Sequence, residues 1–190
     1  MLNKILLQIA KNAILNNFDA KYAVNTEAIL KKYPELAKKG AAFVTLTYNK
    51  DLRGCIGSII PHRTLLDDII HNAKSAAFHD PRFKALGIDE FENINLEVSV
   101  LSQAQILDYN DYNDLLSKIC PKIDGVILKH QNFQGTFLPQ VWEQLPSASL
   151  FLEHLSYKAG TTPDVYKQHP EIYTYQVEHI EESFNEILPL

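Results

Sequence analysis

Apolar residues recur every three or four positions at the start of the chain. Leu2, Ile5, Leu6, Ile9, Ala13 and Ile14 form one stripe, which predicts an opening amphipathic helix. A second short helix is predicted from Thr26 to about Tyr33, because Pro34 disfavours helical geometry in the residue before it. The period then shortens. Ala41–Tyr48 reads as a strand, Asn49-Lys50-Asp51 as a turn and Leu52–Ile59 as its hairpin partner, closed by Pro61. Thr64-x-x-Asp67 has the form of a capping box. It opens a helix carrying Leu65, Leu66, Ile69, Ile70, Ala73, Ala76 and Ala77, which ends near Phe78 because Pro81 restrains Asp80. Ile94–Leu101 alternates, with Leu96, Val98 and Val100 on one face and Asn95, Glu97 and Ser99 on the other. A helix near Asp111–Ile119 follows, then strands at Gly125–His130 and Gly135–Val141 about the polar turn Gln131-Asn132. Ala148, Phe151, Leu152, Leu155 and Ala159 mark a further helix stopped by Gly160, and Tyr173–Ile180 reads as a last strand.

Strand-rich blocks interrupted by single helices, joined by hairpins, place the chain in the α+β class: a mainly antiparallel sheet flanked by helices. With 190 residues, 46% of them hydrophobic, the expectation is one domain with a real core. No apolar run approaches the roughly 18–20 residues that cross a bilayer, and the opening stripe lacks the features of an export signal. The expected compartment is the cytoplasm. Cys55 and Cys120 belong to no CxxC pair and are expected to stay reduced there. A formal net charge of −5 argues against a nucleic-acid partner, which calls for a basic domain or patch. Lys31-Lys32 and Lys38-Lys39 are surrounded by acidic residues and read as solvated helix faces.

The chemically richest stretch is Leu52-Arg53-Gly54-Cys55-Ile56-Gly57. Glycines on either side of a thiol let a backbone, a ligand or a partner approach the sulfur. An arginine two residues upstream lies on the same strand face and would favour the thiolate. The bland alternative is a packing cysteine, since free cysteines are among the most buried residue types. Asp80 and Arg82, with His79, could bind an anion or simply form a turn and an ion pair around Pro81. Glu97 is either a solvated strand carboxylate or, if its face lines a cleft with Arg53 and Cys55, a general base or ion-pair partner. Trp142 reads as a core or interface anchor. No HExxH, His-x-His, GxGxxG, GxxxxGK[ST] or GxSxG occurs, so no metal site is predicted and no cofactor is named.

Leu52–Gly57 resembles the signature of the AMMECR-domain family, also called AmmeMemoRadiSam system protein A. Asp80-Pro81-Arg82-Phe83, Glu97-Val98-Ser99-Val100-Leu101-Ser102, Leu138-Pro139-Gln140-Val141-Trp142-Glu143 and Lys158-Ala159-Gly160 follow in the family's order, over roughly residues 40 to 180. The resemblance implies two unequal lobes within one domain spanning 1–190, and partnership with a Memo-like protein and a radical S-adenosylmethionine enzyme. It raises Lys158, which otherwise reads as a helix C-terminal cation. It supplies no reaction. The candidate site is therefore Cys55 and Glu97 for chemistry, with Arg53, Asp80, Arg82 and Lys158 for a ligand. The competing function is a non-catalytic partner module.

Overall fold

The structure, a computed structural model, describes residues 4–190. It is an α+β fold with two four-stranded sheets, and the chain divides into two compact units. One unit is the chain up to Leu101 together with Glu178–Leu190, and the other is Ser102–Val177.

In the first unit α1 (Ile5–Leu15) and α3 (Leu65–Phe78) pack on one face of the sheet. Between them in sequence runs the short α2 (Thr26–Lys32), capped by Asn25. Leu2, the first apolar position of the predicted opening stripe, lies outside the described residues. The sheet has β1 (Ala41–Tyr48) and β3 (Ile94–Leu101) at its centre, with β2 (Asp51–Gly57) and β8 (Val177–Ser183) at its edges. Val44, Leu46, Leu96 and Val98 face the helices and are fully buried, so alternation in these strands makes one apolar and one polar face. The Thr64 hydroxyl accepts the Asp67 N–H at 3.1 Å, as the capping pattern anticipated.

Further buried polar groups tie this unit together. Asp68 accepts from the Ala42 N–H (2.9 Å), the Ser58 hydroxyl (2.7 Å) and the Asn72 amide (3.0 Å), joining α3 to the first residues of β1 and the end of the hairpin. Lys11 is buried, and its Nζ donates to the carbonyls of Phe184 (2.6 Å) and Ile187 (2.7 Å). It thereby anchors the returning chain to α1. Burial pushes its pKa down.

In the second unit the sheet runs β4 (Gln105–Ile106), β7 (Glu171–Tyr175), β5 (Gly125–His130), β6 (Phe133–Phe137). It packs with α4 (Tyr112–Lys118) and α5 (Ala148–Lys158) around Leu115, Val126, Leu128, Phe151, Leu152 and Ile172. Trp142 is buried, stacks on Phe151 with ring centres 3.8 Å apart, and donates its indole N–H to the Asp124 carbonyl. It is a core anchor.

The hairpin partner expected over Leu52–Ile59 is β2 and ends at Gly57, and two later strands also take bounds other than expected. The strand expected at Gly135–Val141 is β6, over Phe133–Phe137, after which Pro139–Glu143 winds into a 3-10 turn that buries Trp142. Pro139 begins that turn because its fixed φ suits a helical start and it has no N–H for a ladder. The strand expected at Tyr173–Ile180 divides at Gln176 into β7 and β8, which belong to different sheets. Gln176 and Ser102 hold the division: the Ser102 N–H donates to the Gln176 carbonyl (2.8 Å), and the Gln176 N–H to the Ser102 hydroxyl (2.9 Å).

Candidate functional site

The hairpin turns at Asn49-Lys50, both with positive φ (51° and 75°), as two-residue loops that match strand twist require. From that turn Tyr48 pairs with Asp51 and Thr47 with Leu52, but Leu46 pairs with Gly54 and Thr45 with Cys55. Arg53 is the extra residue of a β-bulge. Uninterrupted pairing would set Cys55 opposite Val44, on the face covered by helices. The one-residue shift puts it opposite Thr45, on the polar face.

Gly54 then takes the helix-facing position. An added Cβ there would stand 2.2 Å from the Ala76 carbonyl oxygen of α3, so the hairpin sits against that helix only with glycine at this point. At Gly57 the Phe43 ring occupies the space of a side chain.

Cys55 is half-buried, and its Sγ accepts the Thr45 hydroxyl at 3.3 Å. Thr45 also pairs with Glu97 of β3, so Cys55, Thr45 and Glu97 form one row across three strands. The backbones of Cys55 and Glu97 are about 10 Å apart by strand spacing. Glu97 accepts the hydroxyl of the buried Ser99 at 2.7 Å. Among the described residues, no cation lies within ion-pair distance of Glu97.

The backbone of Cys55 is held from outside the sheet. β2 is an edge strand, so the outward N–H and C=O of Cys55 need partners. Asp80 Oδ2 accepts the N–H at 2.9 Å, and Arg82 Nη2 donates to the C=O at 3.1 Å. Asp80 also accepts Arg82 Nε (2.9 Å) and Nη2 (2.7 Å), so the ion pair stands where a neighbouring strand would. The Arg82 guanidinium hydrogen-bonded to Asp80 holds its carboxyl well below the usual carboxylate range. The Cys55 N–H acts in the same direction and outweighs burial together with Arg82.

Arg53 is turned elsewhere. Its Nε and Nη2 meet both carboxylate oxygens of Glu90, at 2.6 and 3.0 Å, and this lowers the Glu90 pKa. The two guanidiniums of Arg53 and Arg82 both lie over the Phe83 ring.

Of the six residues singled out in the sequence, Cys55, Asp80 and Arg82 are directly bonded, and Glu97 shares the strand row of Cys55. Arg53 is engaged by Glu90, and Lys158 lies in the second unit with its Nζ over the Phe137 ring. Thr45 and Glu90 were not anticipated. Alternation along β1 marks Thr45 as polar-facing, but only the bulge sets it opposite Cys55. Nothing in sequence spacing pairs Glu90 with a residue 37 positions away. Among the described residues no group of three or more His, Cys, Asp or Glu side chains could hold a metal ion, and no helix is long and apolar enough to cross a membrane.

The chain is similar in sequence to Protein MJ0810 of Methanocaldococcus jannaschii, with 34% identity over 85% of this chain and 83% of that one. It is also similar to Protein MK0488 of Methanopyrus kandleri, with 34% identity over 94% of this chain and 87% of that one. Its fold is similar to the crystal structure of the uncharacterized protein PH0010 from Pyrococcus horikoshii: TM-score 0.77, 29% identity, 98% of this chain and 96% of that chain covered. The AMMECR1 family model matches residues 7–180, a span containing the bulged hairpin, the Asp80–Arg82 clamp and Glu97. The chain belongs to the AMMECR1 family.

Proposed function

We propose that the protein acts in the cytoplasm through the polar face of β2, β1 and β3, with Cys55 as its reactive thiol and Glu97 as the acid–base or binding carboxylate of the same row. In this reading Asp80 and Arg82 position the cysteine rather than meet a ligand. The partners are those the family resemblance implies, a Memo-like protein and a radical S-adenosylmethionine enzyme. The observation that carries the reading is the bulge at Arg53, which turns Cys55 away from the core and beside Thr45.

Alkylation of a Cys120→Ser protein tests it. Cys55 is expected to react with iodoacetamide in the folded state, with Glu97→Gln changing the rate while the melting temperature is held. Protection of Cys55 until unfolding would leave it a packing residue.

The pairing of Arg53 with Glu90 favours a second reading, the non-catalytic partner module, because it ties up the guanidinium that would otherwise support a thiolate. Undiminished capture of the Memo-like protein by a Cys55→Ser variant, with no activity lost, would select that reading.

A further inference from the structure

We infer that the first unit holds a site for a medium-chain monocarboxylic acid, in a cavity between α1, α2 and the segment Pro189–Leu190. The carboxylate rests on Lys32 and the alkyl chain lies over Ala28 and Ile29. This site is built from the helices, and it stands whether or not Cys55 is a reactive thiol.

The cavity measures about 470 Å3, within the range of about 300–1,000 Å3 that small-molecule sites occupy. α2 and its cap present Asn25, Ala28, Ile29 and Lys32 to it, the three- and four-residue spacing of one helix face. Ile5 and Gln8 do the same from α1. Pro189 and Leu190 form a further wall, and two bonds to α1 hold them there. The Leu190 N–H donates to Asn12 Oδ1 (2.9 Å), and Gln8 Nε2 donates to the Leu188 carbonyl (3.0 Å). Ile5 and Ile29 are buried in the core, whereas Ala28 and Ala23, which also lines the cavity, are exposed. Two short side chains leave open the space that longer ones would fill.

Charge decides which ligand suits this space. Among the lining side chains Lys32 carries the one formal charge. The acidic residue of α2, Glu27, falls off the lining stripe and stands i,i+4 from Lys31. Lys32 Nζ lies 5.4 Å from the centre of the Tyr33 ring, itself part of the lining, and makes no ion pair among the described residues. The ring holds the ammonium beside the cavity without cancelling its charge. An anionic head therefore finds an unpaired cation, while a cationic head finds no carboxylate side chain. Asn25 and Lys32 are seven residues apart, about 10 Å along a helix. The apolar floor between them has the length of a medium alkyl chain, which displaces water from Ala28 and Ile29 as it binds.

Titration of the full chain with sodium octanoate, followed by backbone amide resonances, tests the inference. Octanoate is expected to shift Ile5, Ala28 and Leu190, with half-saturation at about 1 mM or below. Butyrate, which lacks the chain, should bind at least about tenfold more weakly. Octylamine, which reverses the head charge, should bind about fivefold more weakly. Lys32→Gln should lower octanoate affinity about two- to fivefold, as suits an exposed ion pair, and bring octanoate and octylamine close to parity. Ala28→Leu fills the cavity from an exposed helix position that leucine suits. It should abolish the shifts with the melting temperature unchanged or raised. No shifts at several millimolar octanoate, equal binding of octylamine to the unsubstituted protein, or shifts that survive Ala28→Leu would each overturn the inference. Should Ala28→Leu melt lower, the Lys32→Gln comparison decides, and an undiminished preference for octanoate in that variant overturns it as well.

Discussion

Gly54 and Gly57 make room for different neighbours, and the difference sets what each substitution costs. A side chain at Gly54 meets the backbone carbonyl oxygen of Ala76, which can yield only if α3 moves; one at Gly57 meets the Phe43 ring, which can rotate or shift. Overpacking of this sort costs about 1–3 kcal/mol, more where the obstacle is backbone. We therefore expect Gly54→Val to lower the melting temperature most, Gly57→Val less and Cys55→Ser least. A thermal melt with Cys55→Ser as the worst of the three would overturn the ordering. That glycines beside a thiol imply close approach was legible in the hexapeptide itself. Which atoms approach was not, because Ala76 and Phe43 reach these positions only through helix packing and strand pairing.

At the scale of elements, the Asp80–Arg82 turn serves as the outer neighbour of an edge strand. Removing the carboxylate in Asp80→Ala strips the Cys55 N–H and the Arg82 guanidinium of their acceptor, at about 2 kcal/mol for hydrogen bonds to a charged group. The pH dependence follows from the direction of the Asp80 shift. Its folded pKa is depressed from the ordinary 3.8, so its stabilisation is fully present above about pH 4. That stabilisation is lost as pH falls further, towards the folded value. Urea melts of wild type and Asp80→Ala should differ by a constant amount from pH 5 to 7 and converge below pH 4. A gap that stays constant down to pH 2 would remove Asp80 from the account. Proline after Asp80 made a turn legible here. That the turn closes on residue 55 required the fold, since 25 positions separate the partners. The division of Tyr173–Ile180 at Gln176 was hidden for a related reason. Strand propensity is continuous through this stretch, and the change of sheet appears only in the tertiary pairing, where Ser102 and Gln176 bond to each other.

For the molecule as a whole, the formal charge of −5 bears on partners more than on fold. Duplex DNA and RNA are expected not to bind tighter than about 1 μM at physiological salt, the tight end of ordinary non-specific affinity. A fluorescence-anisotropy titration showing steep, salt-dependent binding below that value would contradict this. The periodicities of the chain by themselves determined the α+β class, most of the helices, the first hairpin and the polar face of β3. They did so because a helix or strand must show its apolar period whatever it packs against. They did not determine the division into two units, or that the chain returns from Ser102–Val177 to complete the first sheet with β8. Nor did they decide the face on which Cys55 stands. That depends on one unpaired residue at Arg53, and a bulge leaves hydrophobic alternation almost unchanged while it moves the thiol from the buried side of the sheet to the polar one. The packing of Gly54 under Ala76 and the clamp on the Cys55 backbone hold that register, and both are contacts between residues distant in sequence.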